Sequence, residues 1–148
     1  MSSRSETIAN AQDHPGERRL ALAFGRSLGW SGQGLSKLPI FYELDFAVTR
    51  GKKITAWLEV KERGAYYPDW IFPYSKWLTG KRFSRDSGAP FYIVQAYPSK
   101  SGETKIIYLE VTEELRPEII MAGRTDRGDW QDIAPHVSLP DEWFLRVQ

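Results

Sequence analysis

Two alternating stretches lie back to back around Gly51, and they constrain the fold more than any other feature of the chain. From Phe41 to Thr49, Leu44, Phe46 and Val48 fall on one side and Glu43, Asp45 and Ala47 on the other. From Lys53 to Lys61, Ile54, Ala56, Leu58 and Val60 face one way and Thr55, Trp57, Glu59 and Lys61 the other. Gly51, between Arg50 and Lys52, marks a hairpin turn. A strand has a side-chain period of two, so a slip of one residue turns every side chain over. A two-residue loop pairing Thr49 with Lys52 would set Asp45 opposite Ala56, on the apolar face. A loop of three or five residues sets Asp45 beside Trp57 and Glu59 instead. The pattern therefore predicts an odd loop, and one polar face carrying Asp45, Glu59 and Lys61.

Helices flank this hairpin in the sequence. Asp13, His14 and Pro15 read as a helix start, and Gly29 as its stop. Leu20, Phe24 and Leu28 recur at a spacing of four and form its apolar stripe. An aromatic-rich connection over Tyr66–Trp70 leads to a second helix, from about Pro73 to Asp86 and ending near Gly88. Phe91–Tyr97 and Lys105–Val111 read as strands joined by a turn over Pro98–Gly102. The remainder is turn-rich, with short strands near Ile119–Met121 and Val137–Leu139. The order is α-β-β-α-β-β plus C-terminal extras, which predicts an α/β fold with a mixed central sheet flanked by helices. The 148 residues read as one domain, with a core over about 13–111 and an extension over 112–148.

Composition narrows the chemistry. The chain has no cysteine, which excludes thiolate zinc sites, iron–sulfur clusters and cysteine nucleophiles. His14 and His136 are the only histidines, so a multi-histidine metal site within one chain is excluded and histidine-based hydrolysis is disfavoured. Carboxylates, lysine and a hard metal ion remain. No apolar stretch is long enough to span a bilayer, and MSSRSETIANAQDHPGERR shows no secretory pattern, so the expectation is a cytoplasmic protein without membrane partners. Residues 1–90 carry 14 Lys/Arg against 9 Asp/Glu, while residues 91–148 carry 6 against 10. The weakly basic part holds the Asp45–Lys61 segment and is compatible with nucleic acid.

Two carboxylates about 5 Å apart at an effective dielectric of about 20 repel by roughly 3 kcal/mol. Lys61 offsets part of this, and a divalent cation such as Mg²⁺, bound through oxygen ligands and keeping several waters, offsets the rest. Metal-bound water is a usable nucleophile. An E-x-K triplet by itself also occurs as a solvated ion-paired face; the upstream acid and the apolar back face favour the metal site.

The segment Glu43-Leu44-Asp45 followed by Leu58-Glu59-Val60-Lys61, on two antiparallel strands between two helices, resembles the PD-(D/E)xK nuclease superfamily with its restriction-endonuclease-like core. The resemblance covers roughly residues 13–97, and Leu44 stands where the motif has proline. It implies a deoxyribonuclease in which Asp45 and Glu59 bind Mg²⁺ (Mn²⁺ substituting), helped by the Val60 carbonyl, with Lys61 as the catalytic lysine. The tail GRTDRGDWQDIAP is similar to tails of small phage-encoded members. The glutamine–tyrosine helix signature of RecB-type exonucleases is absent. The implied activity is endonucleolytic, with branched or junction DNA among the candidate substrates and a homodimer as a natural way to enlarge a short DNA footprint. A non-catalytic nucleic-acid-binding or assembly module on the same fold is the alternative.

Members often carry an acid on the first helix, and here Glu17 falls on the stripe of Leu20, Ala21 and Phe24. It reads either as part of the site or as a first-turn acid favoured by the helix dipole. Lys76 shares a face with Gly80, Ser84 and Ser87, and reads either as a basic group near the site or as a snorkelling surface lysine. Tyr66, Tyr67 and Trp70 could stack on bases, although packing is the plainer account. Arg18, Arg19, Lys52, Lys53, Lys81, Arg82 and Arg85 are candidates for phosphate contacts.

Overall fold

The computed structural model describes residues 15–39, 44–123 and 133–147. The expected helix start at Asp13–His14, the strand residues Phe41–Glu43 and the tail over 124–132 lie outside the described residues.

Helix α1 spans Pro15–Ser27 and is followed by Gly29 at φ 75°, a left-handed conformation that stops a helix at little cost to glycine. Strand β1 (Gly34–Lys37), absent from the sequence reading, pairs antiparallel with β2 (Phe46–Arg50), which pairs with β3 (Lys53–Glu62). Next come β4 (Asp69–Pro73), α2 (Tyr74–Ser87), β5 (Phe91–Pro98), β6 (Thr104–Val111), β7 (Glu118–Gly123), β8 (Ile133–Pro140), a 3-10 turn (Asp141–Trp143) and β9 (Leu145–Arg146). The main sheet has the order β1-β2-β3-β5-β6-β9, with β3 and β5 parallel and the other pairs antiparallel. It is the expected mixed sheet. A second, three-stranded sheet has the order β4-β8-β7. Its strand β4 takes in the last two residues, Asp69 and Trp70, of the aromatic-rich segment expected to be a connection. Among the described residues no helix is long and apolar enough to cross a membrane.

The hairpin reaches the expected parity by a different device. Arg50 pairs with Lys53 and Thr49 with Ile54, so the loop has two residues, Gly51 and Lys52, and not an odd number. Val48 then pairs with Ala56, Ala47 with Trp57 and Phe46 with Leu58. The register shift leaves Thr55 as an extra residue, a β-bulge. The Thr55 hydroxyl donates to Gln33 Oε1 at 2.6 Å. The bulge also moves Ile54 off the face of Ala56, Leu58 and Val60; it packs with the cluster that holds Trp57.

Both faces of the sheet are buried, a second departure from the expected polar face. Leu20, Ala21 and Phe24 of α1 pack with Phe46, Val48, Leu58, Val60 and Val94. On the other face Ala47, Trp57, Ile93 and Leu109 pack with Trp77 of α2 and with Trp70, Phe72, Val137 and Leu139 of the small sheet. Helix α2 lies close to β5 because a Cβ at Gly80 would strike the Phe91 ring. The Trp57 indole N–H donates to Ser87 Oγ at 2.9 Å, fixing the end of α2 to β3. Gly88 at φ 76° caps α2, its N–H bonding the Ser84 carbonyl.

Candidate active site

Glu59 lies where β3, running beside the parallel strand β5, passes under the first turn of α2. Pairing partners assign its neighbours: Glu59 opposes Ile93 and Lys61 opposes Gln95, so these four share the face covered by α2 and the small sheet. Asp45 stands one residue before β2, held by the Leu38 N–H donating to its carbonyl at 2.9 Å. The two acids interlock. Glu59 Oε2 accepts the Asp45 backbone N–H at 3.1 Å, and Asp45 Oδ2 accepts the Val60 N–H at 2.9 Å. The amide and carbonyl of a strand residue leave on the same side. The Val60 carbonyl is thus aimed at the same edge as the N–H that holds Asp45, while the Val60 side chain is buried under α1.

Two lysines supply positive charge. Lys76 Nζ lies 2.6 Å from Glu59 Oε1, and Lys37 Nζ lies 3.4 Å from Asp45 Oδ1 and over the Phe46 ring. Even so, burial pushes the Glu59 carboxyl up to about 7, with the nearby Asp45 charge adding to the effect and Lys76 and Lys61 opposing it. Burial works to lower Lys76, but Glu59, Asp45 and Glu17 outweigh it and hold its pKa above the ordinary lysine value. The two shifts look contradictory for one ion pair. They agree once burial is counted, because Glu59 is 3% exposed whereas Lys76 retains a third of its side-chain surface. Desolvation thus outweighs the lysines at Glu59, and the oxygens of the two acids are the hard donors a divalent cation takes. Asp45, Glu59 and the Val60 carbonyl are the groups that could hold one.

Glu17 is half-buried in the first turns of α1, and its charge is felt at Lys76. It does not join Asp45 and Glu59 in a cluster of three potential ligands; none exists among the described residues. Lys61 is exposed and acts on Glu59 through its charge. Lys76 is at the site and is not a surface snorkeller. Arg18 lies over the Phe46 ring, beside Asp45 in sequence. Tyr66 and Tyr67 are each 48% exposed with one edge packed on buried Trp70, and the Tyr66 hydroxyl donates to Asp141. They are neither fully buried nor free. Lys52 and Lys53 lie at the far end of β3, roughly 20 Å from Glu59 at a strand's rise per residue. On α2, Lys81 and Arg85 pair with Glu113, while Arg82 lies over Phe83.

A cleft of about 350 Å³ opens beside Glu59, lined also by Lys61, Lys76, Arg63, Phe72 and His136. Sequence reasoning missed Lys37, Arg63, Gln95 and His136. Arg63 had a signal, since it continues the Glu59, Lys61 alternation by one more step. So did Gln95, a lone amide within the apolar run of β5. Lys37 and His136 had none; His136 reaches the cleft from β8, its Nδ1–H directed at the Ala134 carbonyl at 2.9 Å.

Comparison with known proteins bears on this geometry. The profile of the family described as "Phage putative PDDEXK endonuclease" matches residues 11–147. Among solved structures, the chain is similar to the Hjc Holliday junction resolvase of the archaeal hyperthermophile Archaeoglobus fulgidus, with a TM-score of 0.55 and 15% identity, over 89% of this chain and 92% of that one. At that identity the likeness concerns the fold, which is restriction-endonuclease-like. The sequence matches no curated protein. The chain belongs to the phage PDDEXK endonuclease family.

Proposed function

We propose that this family member is a magnesium-dependent endonuclease that hydrolyses DNA phosphodiester bonds in the cleft beside Glu59. The observation that carries the reading is the interlock of Asp45 with Glu59, whose buried carboxylate lies at the wall of a cleft that also presents Lys61 and Lys76. Asp45, Glu59 and the Val60 carbonyl hold the ion, and Mn²⁺ substitutes for Mg²⁺. The ion, when bound, supplies an activated water and neutralises charge on a phosphoryl oxygen. Lys61, exposed at the mouth, orients that water and meets charge developing on the phosphate. Lys76 keeps the Glu59 charge compensated when no ion is present. Glu17 acts on Lys76 through its charge and not as a direct ligand.

DNA is the partner, and Arg18, Tyr66 and Tyr67 are its candidate contacts around the site. Lys52 and Lys53 touch DNA only if the duplex extends along the whole sheet. The similar solved structure is by name a Holliday junction resolvase, which supports testing four-way junctions first. A homodimer, which would enlarge the short DNA footprint of one small domain, is the proposed active form. The reaction is placed in the cytoplasm of an infected cell.

The test is a cleavage panel of four-way junction, flap, nicked, single-stranded and plain duplex DNA, with Mg²⁺, Mn²⁺ or EDTA. Cleavage of at least one substrate that needs the metal is expected. A protein that cuts none of them, and whose melting temperature does not respond to either metal, is a non-catalytic binding module.

A further inference from the structure

Arg63 follows β3 directly, and its N–H extends the β3–β5 ladder by donating to the Ala96 carbonyl at 2.7 Å. The Glu59, Lys61, Arg63 spacing keeps its side chain on the face of the acids. The guanidinium is clamped by two neutral acceptors. Nε donates to Gln95 Oε1 at 2.8 Å, and Nη2 donates to the Ile71 carbonyl at 2.9 Å. A guanidinium has five N–H donors in a planar fork, so three remain, including both on Nη1. The residue lines the cleft of Glu59 and Lys61.

What Arg63 lacks is a counter-ion. Among the described residues it forms no ion pair with any carboxylate, whereas Lys37 and Lys76 each meet an acid. Burial lowers its pKa, and only the Tyr67 phenol opposes this. A half-buried cation fixed by neutral groups is costly unless an anion completes it. The clamp itself is costly. Gln95 is fully buried within the sheet, its Oε1 is spent on Arg63, and its Nε2 has no partner. The donor on Arg63 settles which amide atom is the oxygen. A buried glutamine with an orphaned amide is poor packing, yet it holds the arginine fork in one orientation.

We propose that Arg63 forms a second anion subsite, which takes a nucleic-acid phosphate adjacent to the one cut beside Glu59. From Lys61 to Arg63 the strand advances roughly 7 Å. That is comparable to the step between successive phosphates of an extended strand. The free Nη1/Nη2 edge suits two phosphate oxygens at once. The identity of the neighbouring phosphate rests on the nuclease reading; the anion site does not.

The experiment uses the full chain in EDTA, so that no cleavage intervenes. The Arg63 Nε–H signal is followed by NMR while inorganic phosphate or a short single-stranded DNA oligonucleotide is added. Oligonucleotide affinity is measured in parallel for wild type, Arg63→Gln and Arg63→Lys. A saturable shift with the oligonucleotide, stronger than with phosphate, is expected. Arg63→Gln should bind at least tenfold more weakly with a salt dependence reduced by about one contact, and Arg63→Lys should recover part of the loss. A signal unmoved by the oligonucleotide overturns the subsite, and one that responds to inorganic phosphate alone reduces it to a free-phosphate site and overturns the nucleic-acid assignment. The wild-type titration stands even if a variant fails to fold. A protein that cuts no DNA but whose Arg63 responds to oligonucleotide keeps the subsite and loses the nuclease reading. One that cuts DNA with a silent Arg63 does the reverse.

Discussion

The carboxylate of Glu59 accepts the backbone N–H of Asp45, and the carboxylate of Asp45 accepts the N–H of Val60, the residue after Glu59. Each acid is thereby held by the other's strand. Neither can move without breaking a hydrogen bond on the opposite chain segment, so the pair is positioned before any ion arrives.

Asp45→Asn should abolish stabilisation by Mg²⁺. For an intact site at a hundredfold excess over its dissociation constant, that stabilisation is about 2.7 kcal/mol. Two effects oppose each other in the metal-free protein. Repulsion on Glu59 is relieved, but Lys37, 7% exposed, loses its acid. A metal-free melting temperature close to wild type, with no rise on adding Mg²⁺, is the expected result of a thermal scan. A variant that still gains stability from Mg²⁺ would remove Asp45 from the ligand set.

Stability of the metal-free protein should fall as pH rises from 4.5 to about 7. Glu59 has its pKa raised from 4.5 to about 7, so in this window the folded state binds more protons than the unfolded one, and the derivative of unfolding free energy with pH is negative. The full effect is on the order of 3 kcal/mol. Urea melts across this range should show it, and Glu59→Gln should flatten it. By the same linkage Mg²⁺ competes with the proton, so metal affinity and cleavage should climb through pH 7.

Lys61→Ala should leave folding almost unchanged, because the side chain is exposed. Cleavage should fall by about a hundredfold or more if the ammonium meets charge developing in the transition state. DNA binding in Ca²⁺ should largely persist, since it rests on other phosphate contacts. Single-turnover cleavage beside a Ca²⁺ binding isotherm separates the two; parallel losses in both would make Lys61 a binding residue.

Gly80→Ala should destabilise the protein by about 1–3 kcal/mol, the usual cost of overpacking. The added Cβ would press on the Phe91 ring, which is fully buried and cannot swing aside. Pushing α2 outward also draws Lys76 from Glu59. Chemical denaturation should show the loss, and Glu59 should titrate higher than in wild type.

Much of this protein was legible in the sequence because its signals are local. Alternation within β2 and β3 put Glu59 and Lys61 on one face, and the spacing of Leu20 and Phe24 placed α1, whereas the small residues after Lys76 left that lysine open between the site and the surface until the fold set it on Glu59. Those patterns depend only on the period of a strand or helix, which the backbone fixes residue by residue. Tertiary structure decided what depends on distant partners. Parity was right but its device was not, because the Thr55 bulge is set by packing on both sheet faces and by Gln33, far away in the chain. Lys37 reached Asp45 only through the unforeseen strand β1. Arg63 and Gln95 meet across 32 residues of sequence, and His136 enters the cleft from a separate sheet. No periodicity encodes which strands become neighbours. That choice is made by burial of both faces of the main sheet at once, and burial is a property of the whole chain.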